Sequence, residues 1–117
     1  MSEQPRDLEP EDRKIVQLAR ATRARSPAAE GAAVRDRDGR TYTAATVALP
    51  SLQLSALALA VAMAASSGAR GLEAAAVVTD SDGVANRDLD VLRDLGGAGV
   101  PVLRADRSGT VVEHVTT

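Results

Sequence analysis

The apolar residues of this chain are almost all small or branched aliphatic side chains, which limits the kinds of core that it can build. Ala, Val and Leu supply nearly all of them, Phe and Trp are absent, and Tyr42 is the only aromatic residue. Such side chains bury little area each, so stability requires many close helix–sheet contacts or burial against other subunits. We therefore expect closely packed α and β layers and a homo-oligomer, either a dimer or a tetramer.

Length and charge narrow the possibilities further. With 117 residues, the chain is long enough for one core, and we expect a single domain over 1–117 with a flexible tail at 1–9. The net charge of −2, with both signs mixed along the chain, provides no basic surface for nucleic acid. The N-terminus has no signal-peptide pattern and the longest apolar run is too short to span a bilayer, so we expect a cytoplasmic protein without a membrane partner.

Helical and strand patterns alternate along the sequence. The predicted helices cover about 10–25, 52–65 and 84–95, and the predicted strands cover about 32–36, 41–47, 74–79, 100–104 and 109–115. The first two strands form a hairpin around Asp38-Gly39, and the third is apolar throughout, as strands buried on both faces are. The layer rules then predict a central sheet of about five strands with helices on both faces.

Three segments carry a resemblance to a known family. They are Glu30-Gly31-Ala32-Ala33-Val34, Asp38-Gly39-Arg40-Thr41-Tyr42-Thr43 and Leu54-Ser55-Ala56-Leu57. In this order, and in a chain of this length, they resemble the small cytidine deaminases, and the likeness runs from the first helix to the fourth strand. The resemblance implies a three-layer α/β/α sandwich with a mixed sheet, built into a homo-oligomer.

The resemblance also implies a catalytic zinc site, whose residues this chain replaces. The family's Cys-Ala-Glu supplies a zinc thiolate and a proton-shuttling carboxylate, and it falls here on Ser55-Ala56-Leu57. Its Pro-Cys-x-x-Cys falls on the segment 81–85, which puts Asp82 and Ala85 at the positions of the two cysteines. Neither motif keeps a zinc ligand or the catalytic acid.

The ribose contacts implied by the resemblance are replaced as well. The family's Asn-x-Glu falls on Thr46-Val47-Ala48, so Thr46 and Ala48 stand where the sugar would be held.

Composition leads to the same exclusion independently. The sequence has no Cys and a single His, His114, whereas protein zinc sites normally take three or four ligands rich in nitrogen and sulfur. Hydrolytic deamination of a cytosine ring requires a metal-bound hydroxide and a Glu that moves protons. We therefore expect no metal, no cofactor and no catalytic residues.

Two hypotheses of function follow. The first is a catalytically inactive cytidine deaminase-like protein with a scaffold, partner-binding or ligand-sensing role. The alternative is a nucleoside-binding hydrolase with a zinc-independent site that uses Ser55, Asp82 or groups from a neighbouring subunit. An open, polar cleft near Ser55 would be consistent with ligand binding there. A cleft filled by Leu57 would exclude it.

Overall fold

The computed structural model describes residues 8–117, which form three helices and seven strands. In chain order these are α1 (Pro10–Arg25), β1 (Gly31–Asp36), β2 (Thr41–Ala45), β3 (Val47–Leu49), β4 (Leu52–Leu54), α2 (Ala56–Ser66), β5 (Leu72–Val78), α3 (Asn86–Gly96), β6 (Pro101–Ala105) and β7 (Val111–Thr116). The first helix begins where the sequence predicts, since Pro10 fits the first turn and Glu11 and Asp12 lie at its positive end.

Five of the strands form one mixed sheet in the order β2-β1-β5-β6-β7. Strands β5 and β6 are parallel, and the other neighbours are antiparallel. One core cluster joins α1 to one face of the sheet, and a second joins α2 and α3 to the other. The prediction of a three-layer α/β/α sandwich with a mixed sheet of about five strands is therefore confirmed.

The two layers of helices share the central strands by strict alternation. On β1, Ala32 and Val34 face α2 and α3, while Ala33 faces α1. On β5, Ala75 and Ala76 alternate in the same way, and neither is exposed. Small side chains in the middle of the sheet allow the helices to approach closely from both sides.

One part of the helix predicted at 52–65 is wrong. Leu52–Leu54 is strand β4, which pairs with β3 in a separate two-stranded sheet, and Pro50-Ser51 is the turn between them. The helix begins only at Ala56, because the Ser55 hydroxyl accepts a hydrogen bond from the Ala58 amide and so caps it. An apolar run without a clear period does not by itself separate strand from helix.

The N-terminal tail predicted at 1–9 lies outside the described residues for positions 1–7. Leu8 packs against the α1 core cluster, and Glu9 is the N-cap of α1, so these two residues belong to the start of the helix. Among the helices of residues 8–117, none has the length and hydropathy required to cross a membrane.

Candidate functional site

An open cleft of about 950 Å³ lies at the carboxyl ends of β5 and β6. In open α/β sheets this is the edge at which ligands are usually bound. The cleft is bordered by the loops that follow α1, β2, β5 and β6 and by the first turns of α2 and α3. Its polar lining residues are Arg23, Glu30, Thr46, Gln53, Ser55, Thr79, Asp80, Ser81, Arg87, Asp88 and Arg107.

A short hydrogen bond joins the starts of α2 and α3 inside this cleft. The Ser55 hydroxyl donates to an Asp88 carboxylate oxygen at 2.6 Å and accepts from the Ala58 amide at 3.1 Å. Asp88 is only 8% exposed and lies in the first turn of α3, where the helix dipole favours a negative charge. Ser55 thus uses its one proton on one oxygen of Asp88.

A second polar pair forms beside the end of β5. The Thr79 hydroxyl donates to a Glu30 carboxylate oxygen at 3.0 Å and accepts from the Ser81 amide at 3.1 Å. The Glu30 amide in turn donates to the Thr46 hydroxyl at 3.0 Å. This network fixes the loop before β1 against the end of β5, and it leaves the Glu30 carboxylate in the cleft lining.

Arginine side chains surround the more exposed part of the cleft. Arg107 donates to Asp80 at 2.7 Å, and Arg23 approaches the same carboxylate at 3.7 Å. The hydrogen bond from Arg107 lowers the pKa of Asp80 and outweighs partial desolvation, which would raise it. Arg87, at the start of α3, is exposed and also lines the cleft.

The residues singled out from the sequence do not all meet here. Thr46, Ala48, Ser55 and Ala85 line the cleft. Leu57 does not, because it is 1% exposed and packs in the core cluster beneath α2 and α3.

Asp82 also lies apart from the cleft lining. It is exposed in the turn that follows β5, while Asp88 is the acid that contacts Ser55. Sequence analysis missed Asp88, although a signal was present: Ala85 and Asp88 are three residues apart at the start of a helix, the spacing of Cys-x-x-Cys. Placing the motif at the helix start instead of at the end of the strand would have found it.

The donor set does not fit the zinc ion that the resemblance implies. The groups brought together are one hydroxyl and one carboxylate, at Ser55 and Asp88, beside the methyl group of Ala85. Zinc sites favour thiolate and imidazole ligands, and His114 lies exposed on β7, outside the cleft. In the described part of the chain, no three His, Asp or Glu side chains are grouped so that they could hold a metal ion.

Comparison with known proteins agrees with this fold. A family model described as cytidine deaminase-like matches residues 8–109. A cytidine deaminase from Burkholderia pseudomallei is 25% identical, with 89% of each chain covered and a TM-score of 0.74.

Mycobacterial structures are also similar. A cytidine deaminase from Mycobacterium tuberculosis is 26% identical over 74% of this chain and 81% of that one, with a TM-score of 0.61. One from Mycobacterium leprae, 23% identical over 85% of this chain and 89% of that one, shares the fold with a TM-score of 0.66. No curated protein sequence matches.

Proposed function

Because this chain belongs to the cytidine deaminase-like family, we propose that it binds a nucleoside-sized ligand in the cleft at the ends of β5 and β6 without deaminating it. The observation that carries this proposal is the hydrogen bond between Ser55 and Asp88. It occupies the junction of α2 and α3 with a hydroxyl and a carboxylate hydrogen-bonded to each other, where the resemblance implies a metal and its ligands.

The family's proton-shuttling carboxylate is replaced as well. The family's carboxylate falls on Leu57, which is buried in the core and cannot accept or donate a proton. Deamination requires both an activated water and a group that moves protons between the water, the ring and the leaving amine. Without these, stabilisation of the transition state is lost, and a rate far below that of a zinc-dependent enzyme is expected.

The cleft supports ligand binding over a purely structural role. Its volume of about 950 Å³ lies at the upper end of the range of about 300–1,000 Å³ that is typical of small-molecule sites. Its lining combines apolar groups such as Val47 and Leu54 with the polar pairs around Ser55 and Glu30. A site of this kind can hold a ring on the apolar part and fix its orientation with a few hydrogen bonds.

The test combines metal analysis, turnover and binding on the full chain. We expect no stoichiometric zinc and no ammonia release from cytidine or deoxycytidine, together with saturable nucleoside binding in calorimetry. Ala58→Phe, which places a ring in the cleft, should abolish binding. Ala21→Phe, on the exposed side of α1 and outside the cleft lining, is the matched control and should leave binding intact.

Three results would contradict this proposal. Zinc-dependent turnover would restore the enzyme interpretation, and the absence of any ligand response would leave only a scaffold role. Turnover without zinc would favour the alternative of a hydrolase with a different site. Ser55 would then be the first candidate, because Asp88 provides the neighbouring base that its sequence context does not suggest.

We also propose that the chain associates with further copies of itself. Leu49, Leu52 and Met63 are 55%, 49% and 40% exposed, and we call these three residues the hairpin–helix patch. They lie on the β3–β4 hairpin and on α2, which follow each other in the chain. The outer side of α2 carries no charged residue to solvate it, so burial against a second copy would remove apolar area from water.

A further inference from the structure

The charges that line the cleft are unevenly distributed between its buried and exposed parts. Asp88 is nearly buried and Glu30 is half-buried, so carboxylates line the deeper part. Arg87 and Arg107 are exposed, and both lie at the mouth. The mouth is therefore cationic and the interior accepts hydrogen bonds.

Pairing with Asp80 does not cancel the positive charge at the mouth. Arg23 and Arg107 share this single carboxylate, at 3.7 Å and 2.7 Å. Arg87 has no ion-pair partner among residues 8–117, and it also faces the cleft. Arg23 is half-buried. The exposed charged residues of the cleft lining are therefore Arg87, Arg107 and Asp80, which leaves one positive charge in excess at the entrance.

An excess of arginine at the mouth favours a ligand with a dianionic group. Guanidinium groups form charge-assisted, often bidentate hydrogen bonds with phosphate oxygens. The deeper carboxylates of Asp88 and Glu30 favour hydrogen-bond donors, such as an exocyclic amine or a sugar hydroxyl. A nucleoside carries those donors, but it has no anionic group to pair with the arginines.

We propose that the ligand of this cleft is a nucleoside 5′-monophosphate, with its phosphate held at the mouth by Arg87 and Arg107 and its amine-bearing end directed toward Asp88 and Glu30. This inference rests on the proposed ligand-binding function and specifies its substrate class. The inference requires that the phosphate group add affinity beyond that of the nucleoside alone.

The experiment compares cytidine 5′-monophosphate, cytidine and inorganic phosphate by calorimetry on the full chain. The monophosphate should bind about tenfold or more tightly than cytidine, the effect expected of a charge-assisted hydrogen bond. This advantage should shrink at high ionic strength, because the exposed arginines are screened. Cytidine binding should change little with salt.

Arginine variants localise the phosphate. Arg87→Gln should remove most of the monophosphate's advantage and leave cytidine affinity within about twofold, since the Arg87 side chain has no partner among residues 8–117 that the substitution would break. Arg107→Gln should act in the same direction. Arg70→Gln, at an exposed arginine outside the cleft, removes the same charge and should leave the advantage unchanged.

The outcomes separate this inference from the function on which it rests. Equal affinity for cytidine and its monophosphate would overturn the phosphate site and leave the nucleoside-binding function standing. If the Arg70, Arg87 and Arg107 variants lose equal monophosphate affinity, the effect comes from the net charge of the protein. That result would also overturn the phosphate site. Binding of inorganic phosphate alone, or of none of the three compounds, would overturn both.

Discussion

Asp36 is the most deeply buried carboxylate of the described residues, and it organises the β1–β2 turn. It is 2% exposed and accepts hydrogen bonds from the amides of Asp38 and Arg40 and from the Tyr42 hydroxyl. Gly39 completes the turn with a φ of 86°, which a side chain would strain. The only aromatic residue of the sequence thus serves the hairpin and does not line the cleft.

These contacts make the hairpin sensitive to acid. Burial would raise the pKa of Asp36, but the hydrogen bonds from Tyr42, Arg40 and Asp38 outweigh it and hold the pKa below the ordinary value of 3.8. A carboxylate with a lowered pKa in the folded state stabilises the protein above its unfolded pKa, and this contribution is lost as the pH falls through the folded value. The relevant window is therefore below about pH 4.

Tyr42→Phe tests this linkage, because it removes the hydroxyl that donates to Asp36 and keeps the ring. The variant should be less stable than the wild type at neutral pH, and the difference should narrow as the pH falls below the ordinary Asp pKa. Urea unfolding at a series of pH values measures both effects. Asp38→Asn, at an exposed acid of the same turn, is the control and should not change the pH dependence of stability. A stability difference between Tyr42→Phe and the wild type that stays constant with pH would contradict the role assigned to Asp36.

At the scale of elements, α1 lies so close to the start of β1 that no side chain fits at Gly31. A Cβ atom at Gly31 would lie 2.2 Å from the Ala19 carbonyl oxygen and 2.8 Å from the Arg23 amide. Both are backbone atoms, so no side chain can rotate to make room. The contact also positions Glu30 and Arg23, the neighbouring residues of the cleft.

Gly31→Ala should therefore force α1 away from the sheet. We expect a loss of about 1–3 kcal/mol in the free energy of unfolding, the range found for overpacked cores. Gly83→Ala is the control: a Cβ there meets nothing within 4 Å, so the change should stay within about 0.5 kcal/mol. If both substitutions change the free energy of urea unfolding equally little, α1 can move away from the sheet without loss of stability, and the prediction is wrong.

The elements predicted well from the sequence are those whose residue pattern is distinctive within the element itself. The first helix has Pro10 and two acids at its start, and β5 contains the apolar run 74–78, so both are recognised without knowledge of their neighbours. The β3–β4 hairpin is not recognisable in this way. Its three-residue strands are too short to show a period of two, and Leu52–Leu54 continues without interruption into the apolar pattern of α2.

The candidate site depends on the whole molecule, and sequence reasoning reaches it only in part. Ser55 and Thr46 can be placed from the cap of a helix and the end of a strand, which are local features. The contact of Ser55 with Asp88 depends on where α3 begins and on how it packs beside α2. Placing the two-cysteine motif three residues earlier selects Asp82, which lies outside the cleft lining.

Self-association is a property of the whole molecule that can be tested directly. Leu52→Glu and Met63→Glu, each placing a charge in the hairpin–helix patch, should lower the molar mass observed by light scattering after size-exclusion chromatography. Burial of an unpaired charge in an apolar interface is costly. Val112→Glu is the control, because Val112 is 48% exposed but lies on β7. A wild type that stays monomeric at high concentration would contradict the proposal, as would equal dissociation by Val112→Glu.

The position of β1 in the middle of the sheet has a consequence for how the chain folds. Its partners are β2, which follows within one turn, and β5, in which Ala76 pairs with Ala33. Until β5 has left the ribosome, one edge of β1 has no strand to pair with. The sheet faces that α1 and α2 cover in the folded protein are incomplete until then. Closing this long loop costs chain entropy before any contact compensates for it. Folding should therefore wait for the second half of the chain, at a rate set by that closure more than by the helices.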